Sequence, residues 1–217
     1  MRKDMRKTRV LLADDHQIVL EGLQNLLESE FEIVGTVEDG RALVKEAERL
    51  SPDVIVADIS MPLLNGIEAL RQIRKTDDQI KVVFLTMHPD VTYATKAFDA
   101  GASWYVLKNS ASRELITAIN EVMMGGTYVA PIIAGELMQT YKEAPPGKDA
   151  LDKKLTTRQR EILQLLGEGH SAKEIADLLS ISPRTVETHK YNMMEELNLK
   201  TTADLIKFAI KHGIVSI

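Results

Sequence analysis

The chain of 217 residues contains no cysteine, and this absence removes several kinds of chemistry at once. Disulfides, thiolate zinc sites and cysteine nucleophiles are excluded, so functional chemistry has to use carboxylates, imidazoles and hydroxyls. Metal sites built from oxygen ligands remain possible.

Long apolar runs are missing as well. No stretch approaches the ~20 apolar residues that a membrane helix needs, and residues 1–8 lead into no signal-peptide core. We therefore expect a cytoplasmic protein with no membrane partner. Apolar residues make up 44% of the chain and charged residues 27%, which is typical of folded globular proteins. The length suits two small domains, each with its own core.

The chain also lacks the positive charge that a nucleic-acid-binding protein often has, since its formal net charge is −5. The acidity is not evenly distributed. Residues 1–147 contain 16 Lys and Arg against 22 Asp and Glu, whereas residues 148–217 contain 11 against 10. The C-terminal part is therefore close to neutral, and it can bind DNA if its positive charges share one face. The weak basicity predicts modest affinity per monomer, which a dimer would increase.

Short apolar runs alternate with amphipathic stretches through the first 124 residues, and this alternation predicts a parallel sheet wrapped in helices. The predicted strands are Val10–Ala13, Glu32–Val37, Val54–Ala57, Val82–Thr86 and Trp104–Leu107. Five βα units result.

From residue 125 the alternation weakens, and residues 125–153 read as a linker with a short helix over Ile132–Tyr141. The pattern beyond the linker is entirely helical. The predicted helices are Thr157–Leu166, Ser171–Leu179, Pro183–Leu197 and Thr202–Lys211. Their plausible N-caps are Thr156, Ser171, Ser182 and Thr201 or Thr202.

Acidic residues follow two of the predicted strands. Asp14 and Asp15 come after the first strand and Asp58 after the third, so the three carboxylates should meet at the carboxyl edge of one sheet, where such sheets bind ligands. Carboxylates brought together raise one another's pKa values unless a cation joins them, and Mg²⁺ (or Mn²⁺) suits such hard oxygen ligands. Thr86 ends the fourth strand and Lys108 follows the fifth, which adds a hydroxyl and an ammonium group. This combination predicts phosphoryl transfer to an aspartate, with Asp58 as the nucleophile.

Four segments resemble those of a known family. They are Leu11-Leu-Ala-Asp-Asp-His, Asp53-Val-Ile-Val-Ala-Asp-Ile-Ser-Met-Pro, Leu64-Asn-Gly and Gly101-Ala-Ser-Trp-Tyr-Val-Leu-Lys. On these segments residues 8–124 resemble the receiver domain of response regulators, which has a flavodoxin-like, doubly wound (βα)5 fold.

The resemblance implies a role for each site residue. Asp58 would be the phospho-acceptor, and Mg²⁺ would be bound by Asp15, Asp58 and the backbone carbonyl of Ser60, with Asp14 acting through water. The residues that would contact the phosphoryl group or report its presence are Lys108, Thr86 and Tyr105. Thr86 would move toward the phosphoryl oxygens, and Tyr105 would occupy the space that Thr86 leaves.

Two histidines lie close to these residues in the sequence. We expect His16 to be a neighbour of the site at the start of the first helix, neither a metal ligand nor a phosphoryl donor, because the oxygen cluster suits Mg²⁺ better than a metal that prefers imidazole. His88, two residues after Thr86, is hypothesised to influence with Ser60 how fast water reaches the acyl phosphate.

Residues 171–190 form two predicted helices around a tight turn at Ser180–Ser182, with Pro183 in the first turn of the second helix. This is a helix-turn-helix. Together with Leu155-Thr-Thr-Arg-Gln-Arg-Glu-Ile-Leu and Asn198-Leu-Lys-Thr-Thr-Ala-Asp-Leu, it makes residues 154–217 similar to the four-helix, all-α DNA-binding domain of LuxR type. A receiver followed by that domain is the NarL/FixJ arrangement.

The second resemblance implies that Pro183–Leu197 is the recognition helix and that Thr202–Lys211 is the dimer face. The candidate DNA contacts are Lys173, Arg184, Thr185, Glu187, Thr188, Lys190, Tyr191 and Asn192. Of these, Glu187, Thr188 and Tyr191 would lie nearest the bases. Lys173, Arg184 and Lys190 would contact phosphates.

The expected function is that of a transcription factor whose Asp58 is phosphorylated by a sensor histidine kinase, and not that of an enzyme beyond this phosphoryl transfer and slow dephosphorylation. Phosphorylation would control homodimer formation and promoter binding, with RNA polymerase as a further candidate partner. We also hypothesise that the receiver covers the recognition helix in the inactive state.

Two alternatives remain open. A phosphatase of the haloacid dehalogenase type also uses an aspartate after a strand, but it needs a second aspartate as acid/base where this chain has Ser60. The helical domain could instead bind a protein, an alternative that Glu187, Glu195 and Glu196 support.

Overall fold

A computed structural model of the chain describes residues 6–87, 90–109, 111–129, 131–143 and 155–215. The first four ranges contain a parallel sheet with helices on both faces, and the last contains helices alone. The α/β fold predicted for the N-terminal part and the all-α fold predicted for the C-terminal part are both confirmed.

Strands rich in Val, Ile and Leu build the sheet, as expected of a parallel sheet buried on both faces. The strands are Arg9–Ala13 (β1), Glu32–Val37 (β2), Val54–Ala57 (β3), Lys81–Thr86 (β4), Trp104–Leu107 (β5) and Tyr128–Val129 (β6). Their order is β2-β1-β3-β4-β5-β6, and every pair is parallel. The helices of this part are Gln17–Leu27 (α1), Gly40–Leu50 (α2), Gly66–Ile73 (α3), Val91–Asp99 (α4), Ala111–Met123 (α5) and Pro131–Glu143 (α6).

The side chains of each strand alternate between two hydrophobic cores. Leu11 and Ile55 face the core beneath α2, α3, α4 and α6, whereas Leu12 and Val56 face the core beneath α1 and α5. This alternation follows from the two-residue period of a strand. The doubly wound arrangement results, and it leaves the carboxyl edge of the sheet free for a site.

The segment that follows α5 adds more to the sheet than a linker would. Strand β6 pairs with β5, and α6 packs against α4, with Ile133 and Leu137 buried in the core. The short helix predicted over Ile132–Tyr141 is present within α6. Strand β6 was not predicted, because two residues are too few to show a period. Residues 144–153, the rest of the predicted linker, lie outside the described residues.

Four helices form the C-terminal part, and each begins after a residue whose side chain accepts a hydrogen bond from the first turn. The helices are Thr157–Gly167 (α7), Ala172–Leu179 (α8), Pro183–Glu196 (α9) and Thr202–Lys211 (α10). The observed caps are Thr156, Ser171, Ser182 and Thr201, in agreement with the predicted N-caps. Across the described residues, every helix is too short or too polar to traverse a lipid bilayer.

Candidate functional site

Acidic side chains lie where β1 and β3 end. Asp14 follows β1 and Asp58 follows β3, and these two strands are neighbours in the sheet. The Asp14 N–H donates to the Val37 carbonyl and the Asp58 N–H to the Ala13 carbonyl, so both backbones continue the strand ladder by one step. The chain passes from β1 to β2 on one side of this pair and from β3 to β4 on the other side. The ligands of open parallel sheets bind at the point where the strand order reverses in this way.

Lys108, the residue after β5, contacts both carboxylates. Its Nζ lies 2.7 Å from Asp58 Oδ2 and 2.6 Å from Asp14 Oδ2. The two aspartates are deeply buried, with 1% of Asp14 and 5% of Asp58 exposed. One ammonium group therefore faces two buried carboxylates, and buried charges are tolerated only when they are paired.

The pKa values of these groups reflect that imbalance. Burial raises the pKa of Asp58, and the Asp14 carboxylate acts in the same direction, while the hydrogen bond from Lys108 opposes both without cancelling them. Burial alone would lower the pKa of Lys108, but its hydrogen bonds to Asp14 and Asp58 outweigh burial and raise it. The pocket is thus short of positive charge, a shortage that a divalent cation would relieve.

Asp15 and His16 extend the acidic cluster toward the solvent. His16 Nδ1 lies 2.8 Å from Asp15 Oδ1 and 3.3 Å from Asp14 Oδ1. The ligand atoms of these three residues all lie within 4.8 Å of one another. His16 is also the residue that precedes α1, the position expected for a neighbour of the site. Its contacts with the two carboxylates were not predicted, because they depend on the side-chain conformation.

A cavity of about 190 Å³ opens beside this cluster. Its lining includes Asp15 and Ser60, both predicted to be metal ligands. Carboxylate and carbonyl oxygens are the ligands that Mg²⁺ prefers, and the cavity leaves room for the waters that Mg²⁺ keeps. The donor set and the shortage of positive charge fit a hard divalent cation at this edge of the sheet.

Thr86 and Tyr105 lie in the interior below the same edge. Both are completely buried, and a hydrogen bond joins the Tyr105 hydroxyl to Thr86. Burial raises the pKa of Tyr105, so its hydroxyl stays protonated. Tyr105 therefore lies in the core in this structure, and its role in the switch stays a prediction. His88, for which a role in dephosphorylation was hypothesised, lies outside the described residues.

The loop between β3 and α3 (residues 58–65, the β3–α3 loop) is bound by the C-terminal domain. Gln164 of α7 accepts a hydrogen bond from Asn65 N–H at 2.7 Å and donates one to the Met61 carbonyl at 3.0 Å. Glu168 accepts from Leu63 N–H at 3.2 Å. These contacts between the domains were not predicted from the sequence. The only signal was a polar residue, Gln164, inside an apolar run.

Further contacts of the same interface run along α3 and α7. The cross-domain pairs are Lys75 with Thr157 at 2.9 Å, Gln72 with Glu161 at 2.8 Å and Glu68 with Arg160 at 3.7 Å. Residues spaced three or four apart on α7 share one face, so α7 presents a polar face to the receiver and an apolar face to its own core.

The helix-turn-helix has the predicted geometry. Ser180 adopts φ +53°, the left-handed conformation that ends α8, and Ser182 Oγ accepts from Thr185 N–H at 3.1 Å to begin α9. Ile175 and Val186 are completely buried between the two helices. This packing fixes the angle at which α9 leaves the turn.

The predicted DNA contacts lie on α8 and α9 and differ in exposure. The exposed members are Lys173, Arg184, Thr188, Tyr191 and Asn192, and the half-buried members are Thr185, Glu187 and Lys190. Lys190 Nζ lies 2.5 Å from Glu187 Oε2 and 5.9 Å from the centre of the Tyr191 ring. Glu187, a candidate base contact, and Lys190, a candidate phosphate contact, are therefore paired with each other in this structure.

In this structure the receiver does not cover the recognition helix in the way hypothesised for the inactive state. The receiver contacts found among the described residues fall on α7, on the last turn of α8 and on residues 212–214. At the α8 contact, Arg41 Nη1 donates to the Leu178 carbonyl at 2.5 Å. Tyr191 on α9 remains 65% exposed. The domains meet through other surfaces, and the face of α9 stays accessible.

Comparison with known proteins assigns both parts of the chain. Residues 10–120 match the response regulator receiver domain, and residues 153–209 match the luxR family of bacterial regulatory proteins. The chain is 40% identical to the transcriptional regulatory protein MctR of Rhizobium johnstonii, over 97% of this chain and 96% of that protein. It is 33% identical to the response regulator UvrY of Escherichia coli K12, over 94% of each.

A solved structure extends the similarity to a complex. RcsB from Salmonella enterica serovar Typhimurium, bound to the promoter P1flhDC in the presence of the phosphomimetic BeF3⁻, is 27% identical. Its TM-score is 0.58, over 94% of this chain and 98% of that chain. The chain belongs to the NarL/FixJ family of bacterial response regulators, in which a receiver domain is joined to a LuxR-type helix-turn-helix DNA-binding domain.

Proposed function

We propose that a partner sensor histidine kinase phosphorylates this response regulator on Asp58, and that phosphorylation controls homodimer formation and promoter binding. The main support is the environment of Asp58. It is buried at the end of β3, and its carboxylate lies 2.7 Å from Lys108 Nζ. An acceptor carboxylate beside a fixed positive charge at the ligand edge of a parallel sheet suits phosphoryl transfer.

In the proposed reaction a carboxylate oxygen of Asp58 attacks the phosphorus of a phosphohistidine. The bond between phosphorus and nitrogen breaks as the new bond between phosphorus and oxygen forms, and the electron pair leaves with the imidazole. Lys108 stabilises the charge that the transferred oxygens bring. Mg²⁺ or Mn²⁺ would be held by Asp15, Asp58 and the Ser60 carbonyl, with Asp14 acting through water. When bound, the cation supplies positive charge to the phosphoryl oxygens.

The phosphoryl group adds about −1.5 to −2 of charge, by analogy with other phosphorylated side chains. Thr86 would respond by turning its hydroxyl toward the new oxygens, which would change its hydrogen bond with Tyr105. Tyr105 faces the core beneath α4, so the rearrangement would reach the surface formed by that helix. Coupling of about 1–3 kcal/mol is typical of such switches, so some active form should exist before phosphorylation.

The proposed DNA-reading surface is the outer face of α9, with Arg184, Thr188, Tyr191 and Asn192 exposed on it. The similar RcsB chain is bound to a promoter in its structure, which supports the same role for this chain. Dimerisation through α10 would place two copies of α9 on half-sites ~34 Å apart. RNA polymerase is a further proposed partner. The kinase and the promoter would place this function in the cytoplasm.

Phosphorylation can be tested by incubating the full chain with Mg²⁺ and acetyl phosphate and then measuring its intact mass. We expect one added phosphoryl group, which Asp58→Asn abolishes and the exposed control Asp78→Asn retains. Labelling that persists in Asp58→Asn would refute the assignment.

The same preparation tests whether the chain is an enzyme in the usual sense. Offered a generic phosphomonoester, it should acquire at most one phosphoryl group per chain. Sustained turnover would favour the phosphatase alternative, whose acid/base position is occupied here by Ser60.

DNA binding can be tested by sequencing genomic fragments that the phosphorylated chain retains. We expect a shared sequence with two half-sites. Tyr191→Ala should weaken retention of that sequence, whereas Lys200→Ala, exposed but outside α9, should not. If the fragments shared no sequence and both variants retained them equally, α9 would not bind DNA in a sequence-specific way.

A further inference from the structure

A side chain of α7 and that of the residue after α7 bind the backbone of the β3–α3 loop at three points. Gln164 bonds to the backbone of Met61 and Asn65, and Glu168 bonds to Leu63 N–H. Gln164 is only 2% exposed, and its Nε2 also donates to Glu168 Oε1 at 2.7 Å, so the two side chains support each other. A loop that begins at Asp58 is therefore positioned by the other domain.

Leu63 lies at the centre of this contact and has an unusual backbone conformation. Its φ is +65°, a left-handed conformation that residues with a Cβ rarely adopt. The Leu63 side chain packs against the core of the C-terminal domain, while its N–H donates to Glu168. Both contacts come from the C-terminal domain, and both favour the unusual conformation.

The same loop contributes one wall of the cavity beside Asp15. Ser60 and Asp15 line it from the receiver, and Gln164 and Glu168 line it from the C-terminal domain. Docking of the C-terminal domain therefore adds a carboxylate to the cavity that fits a divalent cation. Negative groups around a metal site raise the affinity of that site for the cation.

We propose that Gln164 and Glu168 are positioning residues for the cation pocket, and that the docked C-terminal domain raises the affinity of the receiver for Mg²⁺. They fix the backbone of the loop that would contribute the Ser60 carbonyl, and Glu168 adds negative charge to the cavity. This inference rests on the proposed function of the pocket. Binding free energies are reciprocal, so Mg²⁺ strengthens domain docking by the same factor.

The test is calorimetric titration of Mg²⁺ into the full chain. Gln164→Ala and Glu168→Gln should each weaken Mg²⁺ binding by about 5- to 20-fold. The matched control is Glu161→Ala, which removes a contact with Gln72 in the same interface but touches no residue of the loop in the described contacts. It should change the affinity by less than about 2-fold.

The outcomes separate this inference from the proposed function. If the unsubstituted chain binds no Mg²⁺, or binds it equally well after Asp15→Asn, the proposed cation pocket itself is wrong. A second outcome would overturn the positioning role alone. In it, Mg²⁺ binds at Asp15, but Gln164→Ala and Glu168→Gln bind Mg²⁺ with the same affinity as the unsubstituted chain. An equal loss in Glu161→Ala would also overturn it, because weaker docking alone would then explain the effect.

A second measurement does not depend on variants of α7. Because the chain has no cysteine, spin labels can be attached at Gln24→Cys and Lys200→Cys, one exposed position on each domain. Adding Mg²⁺ should increase the population with the inter-label distance of the docked arrangement. A distance distribution that Mg²⁺ leaves unchanged would contradict the reciprocal coupling.

Discussion

Asp58 combines burial with an excess of neighbouring negative charge. Its pKa is raised, first by burial, so the folded chain binds a proton on this residue more tightly than the unfolded chain does. Ionisation of Asp58 therefore costs stability. The cost is absent below the unfolded pKa, grows as the pH rises through the folded pKa and is complete above it. Each unit of pKa difference corresponds to about 1.4 kcal/mol.

Asp58→Asn should remove this pH-dependent cost, although its single side-chain oxygen can accept from Lys108 or from Ile59 N–H but not from both. We expect the free energy of unfolding of the variant, relative to the unsubstituted chain, to increase between pH 4 and pH 8. Urea denaturation at several pH values without divalent cations measures it. A difference that is constant over this range would mean that burial does not perturb Asp58.

Gly66 shows how closely the backbone must approach Asp58. A Cβ at this position would lie 2.2 Å from the Asp58 carbonyl oxygen and 2.9 Å from Phe84 Cε1. Gly66→Ala should therefore lower the free energy of unfolding by about 2–3 kcal/mol, because backbone has to shift. Gly22→Ala in α1 is the matched control, since its Cβ meets no atom within 4 Å and should stabilise by about 0.5–1 kcal/mol. Equal effects in urea denaturation would contradict the close approach.

The receiver site was predictable from the sequence to the extent that strand ends determine it. Asp14, Asp58 and Lys108 each follow a strand, and the order of parallel strands brings them together. The contacts of His16 and of Gln164 were not predictable in this way. The first depends on a side-chain conformation, and the second joins Gln164 to a partner 99 residues away in the chain.

At the scale of elements, the turn between α8 and α9 depends on two serines with different roles. Ser180 adopts the left-handed conformation, and Ser182 caps α9 through its hydroxyl. The cap was predicted because Ser before Pro is a common helix start. Strand β6 was not predicted, and its existence depends on the edge that β5 offers rather than on its own two residues.

Ser182→Ala should lower the free energy of unfolding by about 1 kcal/mol, because Thr185 N–H loses its acceptor. Ser180→Gly should raise it by about 0.5–1 kcal/mol, because glycine adopts φ +53° without steric cost. Thermal unfolding followed by circular dichroism measures both. If the two serines respond in the same direction, their assigned roles are incorrect.

At the scale of the whole molecule, the arrangement of the domains was the part that sequence patterns failed to predict. The receiver was expected to cover α9, but the contacts fall mainly on α7 instead. Periodicity and caps report on neighbours in the chain, whereas this interface joins surfaces that have no sequence relationship. In the sequence, the polar face of α7 has the pattern of a solvent-exposed helix face, and only the structure shows that it contacts the receiver.

The charge distribution predicts how DNA binding responds to salt. Three candidate phosphate contacts per protomer, Lys173, Arg184 and Lys190, give about six in a dimer, so log K should fall with log salt with a slope of about −5. Lys173→Ala should reduce the magnitude of the slope by about 2, and Lys200→Ala should leave it unchanged. The slope can be measured by fluorescence anisotropy between 50 and 200 mM KCl, with a DNA sequence that the phosphorylated chain has been found to retain. A slope near zero would favour a protein partner for the helical domain.

Strand β6 also limits how two copies of the chain can associate. A long open edge of a sheet offers a row of unpaired backbone groups, and sheets of separate molecules can join there into continuous aggregates. Here the β5 edge is covered by a strand of two residues, which is too short to serve as a template for another chain. Association of two copies on this side of the receiver would therefore use helix surfaces instead of pairing between strands.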